Sequence, residues 1–183
     1  MNTVDALSKT EIDQVSSLLT RRHKQIYHDV FKIGLQLSLR ISDLLSLRYD
    51  QLDLDNRALT LVEAKTGKTK DIRINNTAIE IIKRRRTENP KDTWLFQVDS
   101  NRSKNRPINR CTVSRVFQDV AVTLGLNFNS HSLRKSRGKA MFDANEPLAL
   151  ISRVLNHSNV ECTMRYLGIS RKMEQTTYDD YEL

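Results

Sequence analysis

NSHSLRKSRGKAMF, residues 129–142, and VLNHSNVECTMRYLG, residues 154–168, put two histidines, a tyrosine and a run of basic side chains into one short stretch near the end of the chain. The spacing carries the first inference. Ser130 is expected to cap a helix by accepting a free backbone N–H, which places His131 in the first turn and Arg134 on the same helical face. Asn145-Glu146-Pro147 reads as the next helix start, with proline at the first helical position and Leu148, Ile151 and Leu155 as the buried stripe. That helix is expected to stop near Asn156, leaving His157 at a junction. Val160, Met164 and Leu167 then mark the inner face of a further helix. Tyr166 is one position off that stripe, so its hydroxyl can face a cleft. Taken singly, a histidine or a tyrosine in such places is as readily a satisfied structural group. It is the set that needs an explanation.

The rest of the chain supplies more of it. Ser8-Lys9-Thr10-Glu11 has the form of a capping box opening a helix to about Leu19. After the basic run Arg21 to Lys24, residues Ile26, Val30, Ile33 and Leu37 form a core-facing helical stripe. LRISDLLSL, residues 39–47, then sets Arg40 at a junction between two helices, among leucines. A guanidinium so placed needs an anionic partner: Asp43 as an internal ion pair, or a phosphate. RALTLVE and DIRI alternate with period two around KTGKTK, which predicts a β-hairpin over residues 57–74 bearing Lys65, Lys68 and Lys70. A helix over Asn76 to Arg86 ends in four cations, which suit a helix C-terminus. Trp94 reads as core. Asn101 to Arg110 reads as a loop offering Arg102, Lys104, Arg106 and Arg110 to phosphates, and Val113 to Leu124 as an amphipathic scaffold helix ended by Gly125.

Composition narrows the partner. A chain of 183 residues can bury one real core, and 30 Lys+Arg against 22 Asp+Glu give a net charge of +8, which favours a polyanion such as nucleic acid. The N-terminus has no basic start followed by an apolar core, and no apolar run approaches the ~18 residues of a membrane span. A cytoplasmic protein is the expectation. Cys111 and Cys162 match no metal spacing and read as packing residues.

Arg40, a hairpin lysine, His131 with Arg134, His157 and Tyr166 are together the parts that phosphoryl transfer requires. Guanidiniums hold the non-bridging oxygens, donors steady developing charge, an acid serves the leaving oxygen and a nucleophile attacks. No carboxylate cluster for Mg²⁺ is evident, so no metal and no cofactor is expected.

At this point the motifs resemble those of the tyrosine recombinase (phage integrase) family. LRISDLLSL resembles its first arginine motif, VEAKTGKTKDIRI its lysine-bearing hairpin, HSLRKS its His-x-x-Arg motif and LNHSNVECTMRY its closing segment, where a histidine precedes the nucleophilic tyrosine by nine residues. The resemblance implies a fold that is mainly α with a small antiparallel β-sheet (α+β), spanning residues 1–170 as one catalytic domain. It implies that Tyr166 attacks a DNA phosphodiester to give a 3′-phosphotyrosine, with Arg40, Arg134 and His157 on the phosphate. His131 would handle the tyrosine proton, and Lys65 would protonate the leaving 5′ oxygen, with Lys68 and Lys70 as alternates. Asp43 would support the first arginine. Lys68, Lys70, Arg102, Lys104, Arg106, Arg110, Lys135 and Arg137 are the expected DNA contacts. Double-stranded DNA is the partner so implied, bound by a homo-oligomer, a tetramer in this family, on the nucleoid of a bacterium or of a phage host. Residues 171–183 would dock on a neighbouring protomer, with Met173 as anchor and Asp179, Asp180 and Glu182 facing a basic surface.

Two departures are visible. Lys135 stands where many members carry a second histidine, and Asn156 where glycine is usual. Few residues precede the matching region, so the chain resembles the short members, such as the fimbrial DNA invertases, or a catalytic fragment. A type IB topoisomerase, or a DNA-binding regulator that keeps the fold without the chemistry, would carry much of the same pattern.

Overall fold

The first helix, α1 (Lys9–Arg22), starts at the predicted capping box: Ser8 Oγ accepts the Glu11 N–H while the Glu11 carboxylate accepts the Ser8 N–H. It runs three residues beyond the expected end. The structure, a computed structural model, describes residues 4–100, 103–169 and 171–180, with residues 100, 103, 171–174 and 177 described by backbone alone.

Helix α2 (Gln25–Leu37) is the centre of the packing, set against α1, α4 (Asn76–Glu88) and α6 (Ser130–Asp143). Because neighbours cover it on several sides, Asp29, Phe31, Gly34 and Leu35 are buried as well as the predicted Val30, Ile33 and Leu37. Phe31 meets Phe117 and Phe128 edge-on, at centroid distances of 6.3 and 5.9 Å. Gly34 sets how closely α6 approaches: a Cβ there would stand 2.5 Å from Leu133 Cδ1 and 3.2 Å from Leu44 Cδ2. The short helix α3 (Ile41–Leu45) follows. Strands β1 (Leu52–Asp53), β2 (Ala58–Val62) and β3 (Thr69–Arg73) then form an antiparallel sheet in sequence order, with Ala58 opposite Arg73 and Val62 opposite Thr69. This is the predicted hairpin with one added edge strand. A mainly helical chain with small antiparallel sheets is the expected fold class.

Three local expectations change, and one run of cations gains a buried partner. The segment read as a loop contains strand β5 (Ser103–Pro107), paired with β4 (Gln97–Ser100) before helix α5 (Arg110–Leu124). Its polar, basic composition hides the strand, because a two-stranded ribbon exposed to water needs no apolar alternation. The cations ending α4 are not all at the surface. Arg85 is 6% exposed and donates to Asp29 Oδ2 at 2.9 Å and to the Leu95 carbonyl at 2.8 Å, and Arg84 holds the other oxygen of the fully buried Asp29. Trp94 is half-buried, with the Arg48 guanidinium 5.4 Å above its ring, and the core positions beside it are Leu95 and Phe96. Of the two free cysteines, Cys162 is half-buried and Cys111 is exposed in the first turn of α5, so Cys111 does not pack.

The chain closes with α7 (Leu148–Val154), α8 (Val160–Leu167) and α9 (Arg171–Asp180). Pro147 is the residue before α7, one position earlier in the helix register than expected. The tail is thus helical over α9, with Tyr178 83% exposed. Arg102 and Glu182 lie outside the described residues, as does the side chain of Met173. Among the described residues no helix is long and apolar enough to cross a membrane.

Candidate active site

The end of α2 turns through Ser38, a left-handed residue at φ 51°, and this brings Arg40 to the residue before α3. The carboxylate paired with Arg40 is not Asp43 but Glu63. Arg40 Nη1 donates to Glu63 Oε2 at 2.6 Å, across 23 residues of sequence, and Glu63 is fully buried. Asp43 instead accepts the backbone N–H of Ala64 through Oδ1 at 3.0 Å, with Oδ2 buried and without a partner among the described residues. It supports the hairpin that carries the lysines, and touches the arginine only indirectly.

Lys65 and Lys68 are exposed in the tight turn between β2 and β3, where Gly67 takes φ 65°. Lys70 belongs to β3 and points inward. Its Nζ donates to the Val154 carbonyl at 2.7 Å, and burial, aided by the charges of Arg134, Arg40 and Arg137, brings its pKa down to about 8.

Helix α6 is capped by Asn129, one residue earlier than expected: its side chain accepts the His131 N–H at 2.8 Å. His131 is partly exposed at the helix start, and Arg134, one turn on, is 4% exposed. The Arg134 guanidinium is braced by two backbone carbonyls, those of Ser38 and, at 2.5 Å, Leu155. Such bracing fixes a rigid fork ahead of any ligand. Lys135 points away and gives its Nζ to the Val4 carbonyl at 2.9 Å, so it is not placed for a DNA contact. Arg137 lines a cleft of about 480 Å³ beside the site, with Lys70, Arg73 and Arg153. Lys104, Arg106 and Arg110 are exposed on β5 and the start of α5.

Asn156, in the place where glycine was expected, adopts the left-handed conformation that glycine favours, at φ 49°. The turn before His157 is therefore kept. His157 Nδ1 hydrogen-bonds to the buried Thr163 hydroxyl at 2.9 Å, which holds the ring and leaves Nε2 without a hydrogen-bond partner among the described residues. Its ring meets that of Tyr166 edge-on, with centroids 5.0 Å apart. Tyr166 is half-buried, near enough to the Arg134 guanidinium to feel its charge, and its hydroxyl donates to the His131 carbonyl at 3.2 Å.

Arg40, His131, Arg134, His157 and Tyr166 thus share one field. Burial raises the Tyr166 pKa above the usual phenol value, and Arg134 and Arg40 offset only part of that. Burial lowers both imidazoles, with Arg110, Arg134, Lys65 and Arg40 acting further on His131, and Arg134, Arg40 and Lys70 on His157. At neutral pH the site therefore holds a protonated phenol beside neutral imidazoles and two guanidiniums. That suits a phosphate ester, whose charge the guanidiniums take up while an imidazole accepts a proton. Among the described residues no group of three or more His, Cys, Asp or Glu side chains could hold a metal ion.

Glu63, Thr163 and the carbonyls of Ser38 and Leu155 escape the motif reading. Glu63 has a visible signal: alternation that turns Leu59 and Leu61 inward turns Glu63 inward too, and a carboxylate on the apolar face of a strand implies a buried cation.

A tyrosine, two histidines and two arginines gathered on this helical frame define the class as a tyrosine recombinase catalytic domain. The chain belongs to the phage integrase family, whose sequence profile matches residues 6–173. It is 31% identical over 173 residues to the probable integrase/recombinase YoeC of Bacillus subtilis (strain 168), covering 93% of this chain and 92% of that one. With the tyrosine recombinase XerA of Pyrococcus horikoshii it shares 25% identity over 169 residues, 91% of this chain but 58% of XerA. The same fold is seen in the Tn1549 transposon integrase in complex with a circular intermediate DNA, at a TM-score of 0.75 and 17% identity over 91% of this chain and 62% of that one. The XerA recombinase crystal structure superposes with a TM-score of 0.74 and 15% identity over 100% of this chain and 65% of that one. The chain thus spans nearly all of YoeC and about three fifths of these other proteins.

Proposed function

We propose that this chain cleaves and rejoins double-stranded DNA at a specific site through a covalent bond to Tyr166. The Tyr166 oxygen attacks the phosphorus, its proton passes to His131, and the bond from phosphorus to the 5′ oxygen breaks. Lys65, whose charge reaches His131 from the hairpin tip, gives that oxygen its proton. Arg40, Arg134 and Nε2 of His157 take the non-bridging oxygens. The reverse steps rejoin the strand, and strand exchange follows when the attacking 5′-hydroxyl comes from a second duplex. Since the phosphotyrosine ester retains the energy of the broken bond, no ATP is required. Lys68, Lys104, Arg106 and Arg110 hold the flanking backbone, and several protomers assemble on the DNA.

The observation that supports this reading most is the Tyr166 hydroxyl held 3.2 Å from the His131 carbonyl at the start of the helix that carries the buried, doubly braced Arg134, with His157 at its ring edge. The test is covalent capture. The protein is incubated with a pool of nicked duplexes of randomised sequence, in which a short 3′ fragment diffuses away after cleavage, and adducts resistant to SDS are isolated and sequenced. Adducts from wild type and none from Tyr166→Phe are expected. Binding without any adduct would leave a DNA-binding regulator, and relaxation of supercoiled plasmid without exchange between duplexes would leave a topoisomerase.

A further inference from the structure

Three donors from three separate parts of the chain converge on a single oxygen of Glu63. Arg40 Nη1, just before α3, lies 2.6 Å from Oε2; Thr66 Oγ1, in the hairpin turn, lies 3.0 Å from it; and Asn156 Nδ2, in the turn before His157, donates to the same atom. Oε1 is buried and has no partner among the described residues. Three donors on one carboxylate oxygen are more than fixing a single strand residue requires. Here all the bonding goes to the oxygen that joins Arg40 to the hairpin and to the His157 turn.

Neighbouring hydrogen bonds run in the same direction. Residues 154–156 are each held: the Val154 carbonyl by Lys70, the Leu155 carbonyl by Arg134, and the Asn156 side chain by Glu63. The hairpin and α3 are tied reciprocally, with Asp43 accepting the Ala64 N–H while Glu63 accepts from Arg40. Glycine at 156 would make the same left-handed turn but could not reach Glu63. We propose that Glu63 is a positioning residue for DNA cleavage: itself anchored by Thr66 of the hairpin and Asn156 of the His157 turn, it holds the Arg40 guanidinium in place for the phosphate and acts through Arg40. Arg40 keeps the rest of its five N–H donors for phosphate, while Nη1 on Glu63 stops the guanidinium from swinging. The assignment rests on the proposed cleavage reaction and names a residue that reaction does not itself require.

The experiment measures single-turnover adduct formation on one captured duplex by wild type, Glu63→Gln, Asn156→Gly and Lys65→Ala. Each is repeated on the same duplex with sulfur replacing the 5′ bridging oxygen, a leaving group that departs without a proton. Thermal melting reports the folded fraction of every variant. Small displacements of a catalytic group cost up to about a hundredfold, so Glu63→Gln is expected to slow cleavage roughly ten- to a hundredfold while remaining folded. Asn156→Gly, which preserves the turn, is expected to be slow as well. Sulfur should restore Lys65→Ala and leave Glu63→Gln slow, since the defect of the latter lies in holding phosphate through Arg40.

Wild-type rates for either folded variant would overturn the inference. So would rescue of Glu63→Gln by sulfur, or a loss that only tracks the unfolded fraction. No adduct from the wild type on any member of the pool would instead remove the recombinase reading, and this inference with it.

Discussion

The Tyr166 hydroxyl donates to the backbone carbonyl of His131, 3.2 Å away and 35 residues earlier in the chain. The nucleophile is thereby parked as a neutral phenol on the same residue whose imidazole is proposed to receive its proton. Attack requires this bond to be exchanged for one to the imidazole, a local movement at the start of α6.

The cleavage rate should therefore follow the protonation of His131. Burial and the surrounding cations place its pKa below the ordinary histidine value near 6.5. The base form dominates at pH 7 and is lost only as the pH falls through that lowered value. Adduct formation measured against pH should be level around neutrality and decline on the acid side, with its midpoint under 6.5. His131→Ala should lose that acid limb along with about a hundredfold or more in rate, the usual contribution of a general base.

Asp29 should matter to stability far more than its place in a helix suggests. Burial by itself raises its pKa, but the His28 ring nitrogen 3.8 Å away and the hydrogen bonds from Arg84, Gln25 and Arg85 outweigh this and bring it down to about 2. Its stabilising contribution is complete above the ordinary aspartate value near 4 and is lost as the pH falls toward 2. Asp29→Ala leaves the Arg85 charge buried and unpaired, at a cost of about 3–5 kcal/mol. Urea unfolding at pH 7 measures it, with Glu88→Gln, at the exposed partner of Arg84, showing little change.

Gly34→Ala forces a methyl into the contact between α2 and α6. Leu133 is 2% exposed and has little room to yield, so a destabilisation of about 1–3 kcal/mol is expected, as for other overpacked cores. Calorimetry gives the stability. Adduct formation should fall in the folded protein too, because α6 carries His131 and Arg134.

Lys104→Gln, Arg106→Gln and Arg110→Gln should each weaken DNA binding to a similar degree on any sequence. Each should also flatten the dependence of log affinity on log salt, by about one unit for every phosphate that is no longer neutralised. Lys135→Gln should leave the slope unchanged, since its ammonium is bound to the Val4 carbonyl. Fluorescence anisotropy at several salt concentrations separates the two groups.

The helices were legible because their signals are local. The capping box at Ser8, the stripe of α2, the glycine ending α5 and the period-two hairpin each lie within one element and form largely as read. The β4–β5 ribbon was not legible, because a basic, water-exposed hairpin has no apolar period to betray it. Trp94 departs from its expected core position for a related reason: a large ring can be covered by the cation of Arg48 as well as by core.

By itself the sequence determined which groups are available and which of them share a helical face. His131 with Arg134, His157 nine residues before Tyr166, and Arg40 at a helix junction are matters of short-range geometry. Only the tertiary structure decided how those groups are held. Glu63 meets Arg40 across 23 residues and Asn156 across 93. Lys70 turns inward to α7 and Lys135 outward to the N-terminal segment, and Asp43 supports the hairpin in place of the arginine. Those choices follow from desolvation: a charge carried into the packed interior must take whichever counter-charge or carbonyl the fold brings beside it, and packing, not spacing along the chain, decides which one that is.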